Sequence, residues 1–112
     1  MYQTFSKYHN VKTEINGIKF DSKKEGARYQ ELSMLEKTGK IQHLELQKRF
    51  EIVPKKYENK RARYYVADFV YEENGKKIIE DVKSPITRKN PVYSLKKSLV
   101  LVNYPEYFFK ES

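Results

Sequence analysis

Two aspartates and a lysine occupy positions from which they could promote hydrolysis of a phosphodiester. Asp68 and Asp81 lie on either side of Asn74-Gly75, a dipeptide that favours the two-residue turn of a β-hairpin. If that pair forms the loop, counting back along both strands places Asp68 directly opposite Asp81. Lys83 follows Asp81 by two residues, and residues two apart on a strand share a face. The hairpin is therefore predicted to gather two acids and one cation on one surface.

This grouping favours a metal site. Like charges directly opposed on a sheet repel one another, and burial increases that cost. A divalent cation such as Mg²⁺ removes the conflict, because it prefers carboxylate oxygens and water as ligands. The neighbouring lysine could hold a water molecule or a phosphate oxygen. The pattern indicates metal-assisted phosphodiester hydrolysis. The alternative is a surface hairpin whose acids and lysines form ordinary ion pairs.

Three further side chains could support such a site. Glu25 lies on the helix face expected to pack against the sheet, but it is also the last residue of a Ser22-x-x-Glu25 capping box, and both roles remain open. Glu80 points away from Asp81 on an ideal strand, which favours a structural or outer role over direct metal binding. Gln47 has the opposite parity to the apolar residues of its strand. It either faces the edge of the site or lies in solvent.

The elements that position these residues are predicted from turns, caps and periodicity. Asn16-Gly17 is a second hairpin signal, and Ser22 begins a helical pattern that Gly39 is suited to end. Asn90-Pro91 is a favourable start for another helix. The predicted elements are a lead-in hairpin within residues 1–20, a helix at about 22–38, strands at about 41–54, 64–71 and 78–82, a helix at about 91–103 and a last strand at 107–109.

Two further features complete this prediction. The apolar residues of the first long strand share one parity, which predicts a single buried face; they are Leu44, Leu46, Phe50 and Ile52. Residues 84–89 are predicted to form a loop. The result is one α/β domain over residues 1–112, in which a helix, three strands, a helix and a strand follow the short hairpin.

Composition excludes several classes of protein. Sixteen aromatic residues (10 Tyr and 6 Phe) can build a modest core in 112 residues, so disorder is not expected. Cysteine is absent, which removes disulfides, thiolate metal sites and cysteine nucleophiles. His9 and His43 have no partner at metal-ligand spacing, so neither is expected to be catalytic. No apolar run suggests a membrane span and no secretory leader is evident, so a cytoplasmic location is expected.

The charge balance favours a polyanionic partner. Lys and Arg number 23 against 15 acids, a net charge of +8. Basic side chains neutralise phosphates without reading sequence, so a nucleic acid is the first expectation. Any one of these side chains is more often simply solvated, so it is the overall excess of Lys and Arg that favours a nucleic acid partner. The candidate contacts are Lys55, Lys56, Lys60, Arg61, Arg63, Arg88, Lys89, Lys96 and Lys97.

The arrangement resembles the signature of the PD-(D/E)xK nuclease superfamily. Asp68 followed across a hairpin by Asp81-Val82-Lys83 is similar to its Asp…(Asp/Glu)-x-Lys motif, and the helix bearing Glu25 resembles the extra acid of many members. Ala67 stands where the superfamily's name places a proline, whose side chain is not a ligand. The element order is similar to that superfamily's restriction-endonuclease-like α-β-β-β-α-β core, an α/β fold with a mixed central sheet flanked by helices.

A closer resemblance is to a family of small phage-encoded proteins, mostly uncharacterised or described as endonucleases. It extends from about residue 7 to residue 111. The segments that carry it are Gly17-Ile18-Lys19-Phe20-Asp21-Ser22-Lys23-Lys24-Glu25, Ala27-Arg28-Tyr29, Leu44-Glu45-Leu46-Gln47, Ala67-Asp68-Phe69-Val70 and Glu80-Asp81-Val82-Lys83.

These resemblances imply a metal-dependent DNA endonuclease. Asp68, Asp81 and the main-chain carbonyl of Val82 would bind Mg²⁺ or Mn²⁺, and Glu25 would bind a metal-bound water or a second ion. Lys83 would orient the attacking water and stabilise charge in the transition state. The products implied are a 5′-phosphate and a 3′-hydroxyl.

The expected substrate is duplex or branched DNA met in phage replication, recombination or packaging within a bacterial host cell, alongside the phage's replication or recombination proteins. A Holliday-junction-resolvase-like role would require paired incisions and hence a homodimer. The alternative is a basic nucleic-acid-binding module without catalysis. It explains the charge equally well, but not why acids would gather on a surface that must approach phosphates.

Overall fold

The computed structural model describes residues 12–53 and 61–112, which form a mixed α/β architecture. Its elements are β1 (Thr13–Ile15), β2 (Ile18–Phe20), α1 (Lys23–Lys37), β3 (Gln42–Val53), β4 (Arg63–Glu73), β5 (Lys76–Asp81), α2 (Pro85–Arg88), α3 (Pro91–Asn103) and β6 (Tyr107–Glu111). Strands β1 and β2 form a separate hairpin, and the main sheet has the order β3-β4-β5-β6. Its first two pairings are antiparallel and the last is parallel. The predicted fold class is confirmed.

Turn and cap residues act as their sequence predicts. Both Asn-Gly pairs have positive φ at both residues: 53° and 80° at Asn16 and Gly17, and 53° and 76° at Asn74 and Gly75. That conformation suits a tight hairpin between right-twisted strands. The Ser22 hydroxyl accepts the Glu25 amide at 3.1 Å, which begins α1 at the predicted place. The hairpins and helix starts are thus set locally.

The main sheet carries an apolar cluster on each face. Along β4, Phe69 and Tyr71 belong to a cluster that includes Leu32 of α1, whereas Val70 belongs to a cluster that includes Tyr93 of α3. Neighbouring residues on a strand point to opposite faces. The helices α1 and α3 therefore cover opposite sides of the sheet.

The prediction that β3 buries only one face is wrong. Leu44 and Leu46 pack against the cluster on the α1 side, whereas Phe50 and Ile52 belong to the cluster on the α3 side. Uninterrupted alternation would place all four on one face. The interruption lies between the two pairs, where Gln47 has a φ of 53°.

Strand β4 changes face at the same level. Ala67 belongs to the α3-side cluster and Phe69 to the α1-side cluster, although they are two residues apart. Pairing stays in register on both sides of this level, which places Gln47 opposite Asp68. Asp68 is therefore held where the sheet alternation is broken, and not within a regular polar face.

Two local features are found beside the sheet: a short helix after β5 and a close contact between α1 and the first hairpin. Residues 84–89, predicted to be a loop, contain the short helix α2, because Ser84 Oγ accepts the Thr87 amide at 3.2 Å and Pro85 suits the first helical turn. On α1, a Cβ at Gly26 would lie 2.9 Å from Ile15 Cδ1, so the missing side chain lets the hairpin approach the helix.

The described helices are all too short or too polar to span a membrane.

Candidate active site

Asp68 and Asp81 meet across the β4–β5 hairpin as predicted. The register pairs Glu73 with Lys76 and extends to Phe69 and Glu80, the neighbours of the two aspartates. The Asp68 amide donates to Asp81 Oδ1 at 2.7 Å. In turn, Asp68 Oδ2 accepts the amide of Val82 at 2.9 Å. Each carboxylate thus binds the backbone of the facing strand.

Gln47 joins Asp68 to the first helix. Its Nε2 donates to Glu25 Oε2 at 3.3 Å, and the register places it opposite Asp68, where its amide opposes the rise in the pKa of that carboxyl. Glu25 therefore has the predicted backbone capping bond to Ser22 while its carboxylate turns toward the sheet. Only the Ser22 half of the predicted capping box therefore forms, and the Glu25 carboxylate accepts from Gln47 instead of from the Ser22 amide.

These groups border a cleft of about 350 Å³, which we call the acidic cleft. It lies between the start of α1, the middle of β4, the end of β5 and α2. Its lining residues are Asp21, Ser22, Lys24, Glu25, Asp68, Val82, Lys83, Ser84, Pro85 and Thr87. Asp81 is not among them, because its side chain is fully buried behind the cleft. Sequence reasoning missed Asp21 and the α2 residues, although Asp21 directly precedes the capping box.

Burial is the largest cause that raises the pKa of each of the three candidate carboxyls. Burial, followed by the charges of Asp68 and Asp21, raises the pKa of Glu25 to about 7. Burial raises the pKa of Asp68 despite the Lys83 charge and the Val82 amide. Burial also raises the pKa of Asp81, outweighing its hydrogen bond from the Asp68 amide. The site therefore favours any change that reduces its negative charge, whether a proton or a cation.

The donor chemistry fits a hard divalent cation, but the ligands are not gathered as a finished site. Asp81 Oδ2 is buried and has no hydrogen-bond partner, which leaves one carboxylate oxygen uncompensated. Carboxylates and a main-chain carbonyl are ligands that Mg²⁺ accepts. Over residues 12–53 and 61–112, however, no group of three or more His, Cys, Asp or Glu side chains is placed to hold a metal ion together.

Lys83 lies at the rim of the acidic cleft above an aromatic ring. Its Nζ is 5.4 Å from the centre of the Tyr93 ring, within cation–π range. The Tyr93 hydroxyl donates to Glu111 Oε2 at 2.5 Å, and Lys97 Nζ lies 3.6 Å from the same oxygen. Burial, with the Glu111 hydrogen bond, raises the pKa of Tyr93. Lys83 thus has a packed support and no acid within ion-pair distance among the described residues.

Glu80 points to the face of the sheet opposite to that of its neighbour Asp81, and there it joins the sheet to α1. Arg28 donates to both of its oxygens, from Nε at 2.5 Å and from Nη2 at 3.0 Å. Tyr71 and Ser112 hydroxyls donate at 2.5 Å and 2.7 Å. Burial alone would raise the pKa of Glu80, but these bonds together lower it. Glu80 thus lies in a structural network, as the prediction of a structural or outer role allowed. The sequence did not reveal its partners Arg28, Tyr71 and Ser112.

The predicted nucleic-acid contacts are scattered around the sheet. Arg61, Arg63, Lys89 and Lys96 are exposed, and exposed Arg88 donates to the Ser112 carbonyl at 3.3 Å. Lys97 is less available, because it pairs with Glu111 and lies 4.9 Å from the Phe109 ring centre. Lys55, Lys56 and Lys60 lie outside the described residues, as does His9.

His43 lies away from the acidic cleft. Its Nδ1 is 3.0 Å from Glu72 Oε2, and its side chain is 74% exposed. It takes no part in the cluster of acids described above.

Comparison with known proteins gives a family but no activity. No curated protein matches this chain, and no solved structure matches it. One family profile, described as a protein of unknown function, matches residues 5–110, which includes every residue of the acidic cleft. The chain therefore belongs to DUF1064, a family of proteins of unknown function.

Proposed function

We propose that this protein is a divalent-metal-dependent DNA endonuclease of the PD-(D/E)xK type. The observation that carries the proposal is the convergence of Glu25, Asp68 and Lys83 on one cleft, with Asp81 directly behind Asp68. Acids gathered in this way oppose phosphate binding unless a cation joins them. On a protein of net charge +8, such an acidic recess suits a metal that receives a phosphodiester.

The residues that would hold Mg²⁺ or Mn²⁺ are Asp68, Asp81, the carbonyl of Val82 and Glu25. A bound cation would polarise the phosphodiester and offset charge that develops on it. Because the described residues contain no preformed group of three acids, the proposal requires these side chains to turn toward a common point on binding. The unpartnered Asp81 Oδ2 is the oxygen with least to lose from that movement.

The other roles follow from charge and position. Lys83 can donate to a phosphoryl oxygen or orient the attacking water, since no acid of the described residues forms an ion pair with it. Glu25, with a pKa of about 7, can accept a hydrogen bond from that water. Gln47 positions Glu25 through its amide and lies opposite Asp68 in the sheet. The proposed products carry a 5′-phosphate and a 3′-hydroxyl.

The proposed substrate is duplex or branched DNA, met in the cytoplasm of a bacterial host during phage replication or recombination. Net positive charge supports the choice of a polyanion. A junction-resolving activity, which is part of this proposal, requires two active sites and therefore a homodimer.

The test is cleavage of labelled linear duplex, flap, splayed-arm and four-way-junction DNA in Mg²⁺ or Mn²⁺. We expect cutting that Asp81→Ala abolishes while DNA binding persists. Glu72→Gln is the matched control, because Glu72 lies on the same hairpin but pairs with His43 away from the cleft. Symmetrical cuts confined to the junction, with a dimeric mass, would support the resolving activity.

The second candidate is a basic nucleic-acid-binding module without catalysis. The lack of a preformed three-acid group among the described residues favours it. It predicts DNA binding that does not require divalent cations, with no cutting of any substrate. Intact binding without metal-dependent cleavage would replace the endonuclease proposal with this one.

A further inference from the structure

A second cleft lies beside the acidic cleft and has the opposite charge. It encloses about 290 Å³, and Lys24 and Val82 line both clefts. Its remaining wall includes Arg28, Glu31 and Lys110. We call it the lysine cleft. The two clefts therefore lie side by side and share one wall.

The cations of the lysine cleft differ in how far they are engaged. Arg28 is bound to buried Glu80 and also lies 3.5 Å from Glu31, whose side chain is 66% exposed. Lys24 and Lys110 are exposed and form no ion pair with any acid of residues 12–53 or 61–112. Two ammonium groups thus remain for an anion at this site.

Neighbouring phosphates of one nucleic acid strand would meet opposite charges in the two clefts. A phosphate over the acidic cleft needs a cation to offset the acids, whereas a phosphate over the lysine cleft meets positive charge directly. Successive phosphates on one strand are only about 3.4 Å apart along a duplex axis. A strand that places one phosphate in the acidic cleft and crosses the shared wall at Lys24 and Val82 therefore brings a neighbouring phosphate to the lysine cleft.

We propose that the lysine cleft is a subsite for a second backbone phosphate, next to the one that is cut. The proposal rests on the endonuclease function and adds the path of the strand. Lys110 is the most informative member, because it lines only the lysine cleft. It contacts a phosphate as a point charge and contributes no base recognition.

The experiment measures DNA binding without metal, so that its outcome does not depend on cleavage. Fluorescence anisotropy with a labelled duplex in EDTA, over a series of salt concentrations, gives the slope of log affinity against log salt. Loss of one phosphate contact reduces that slope by about 0.9. We expect Lys110→Gln to produce this reduction and to weaken binding severalfold. Lys76→Gln is the matched control, since Lys76 is an exposed lysine that lines neither cleft. Equal effects of the two variants would overturn the proposal.

Duplexes with one neutral methylphosphonate linkage then locate the contact. We expect the deficit of Lys110→Gln to disappear at one linkage only, because the variant and the neutral linkage remove the same contact. That linkage should adjoin the one cut by the wild type. Additive effects at every linkage, or coupling several nucleotides from the cut, would overturn the subsite. Coupling at one linkage in a protein that cuts no DNA would instead retain a phosphate-binding cleft and refute the endonuclease proposal. Competition by inorganic phosphate at the same Lys110 contact would assign the cleft to free anions.

Discussion

Glu25 links the stability of the fold to the protonation of the acidic cleft. Its backbone amide begins α1, and its carboxylate faces Gln47 and two other acids. Such a position is costly for a charged group, because burial and neighbouring aspartates both oppose ionisation. Residues that lower stability in this way are expected where a function requires them.

The raised pKa of Glu25 predicts how stability changes with pH. Between its ordinary value of 4.5 and about 7, the folded state holds a proton that the unfolded state has released. The free energy of unfolding should therefore fall as pH rises through that window, by about 1–3 kcal/mol for this group. Glu25→Gln should reduce the fall, measured by urea denaturation at pH 5 and pH 8 without divalent cations. An unchanged pH dependence in Glu25→Gln would contradict the raised pKa of Glu25.

Lys83 offers a second prediction at the residue scale. Because its proposed contact is with a phosphoryl oxygen or the attacking water, Lys83→Ala should lower the cleavage rate far more than DNA affinity. Single-turnover cleavage and anisotropy on one duplex separate the two quantities. Lys77→Ala, on β5 and outside the acidic cleft, is the control. Equal losses of rate and affinity would identify Lys83 as a binding residue only.

Among the elements, α1 and β5 are joined by the Arg28–Glu80 pair. Arg28 follows Glu25 by three residues, and Glu80 directly precedes Asp81. The bidentate contact therefore connects the helix that carries one candidate ligand to the strand that carries another. Glu80 is fully buried, so its charge depends on Arg28, Tyr71 and Ser112 for compensation.

Removing Arg28 should be costly because it leaves a buried charge. We expect Arg28→Met to lower the free energy of unfolding by about 3–5 kcal/mol. The double variant with Glu80→Leu should recover much of that loss, since both charges are then absent. Glu31→Gln is the control: its pair with Arg28 is exposed and should contribute about 0–1 kcal/mol. Chemical denaturation of the wild type, Arg28→Met, Glu80→Leu and the double variant measures the coupling. Additive losses would contradict the buried-pair account.

At the scale of the whole molecule, a net charge of +8 surrounds a recess in which three carboxyls resist ionisation. Cation binding would therefore stabilise the folded protein as well as activate it. A cation at 100 times its Kd adds about 2.7 kcal/mol to the free energy of unfolding. We expect Mn²⁺ or Mg²⁺ to raise Tm in wild type but not in Asp68→Asn or Asp81→Asn. Matched ionic strength in KCl provides the control. An equal rise in all three proteins would exclude binding at these acids.

The amino-acid sequence by itself determined the features that depend on near neighbours. Asn74-Gly75 selects a two-residue turn, and that turn alone sets the register that brings Asp68 to Asp81. Ser22 and Asn90 begin their helices through bonds to amides two or three residues away. The order of the longer elements was likewise readable, because it depends on spacing along the chain, and the net charge follows from composition.

Only the tertiary structure decided which side chains are buried and what compensates them. The change of face at Gln47 and Asp68 accompanies the positive φ of Gln47 and gives the same strands apolar contacts with helices on both sides of the sheet, which strand periodicity along the sequence does not register. Arg28 reaches Glu80 across 52 residues, and Asp81 is withdrawn behind the cleft by packing on both sides. Burial depends on the packing of the whole chain, and burial is the largest cause of the raised pKa of Glu25, Asp68 and Asp81.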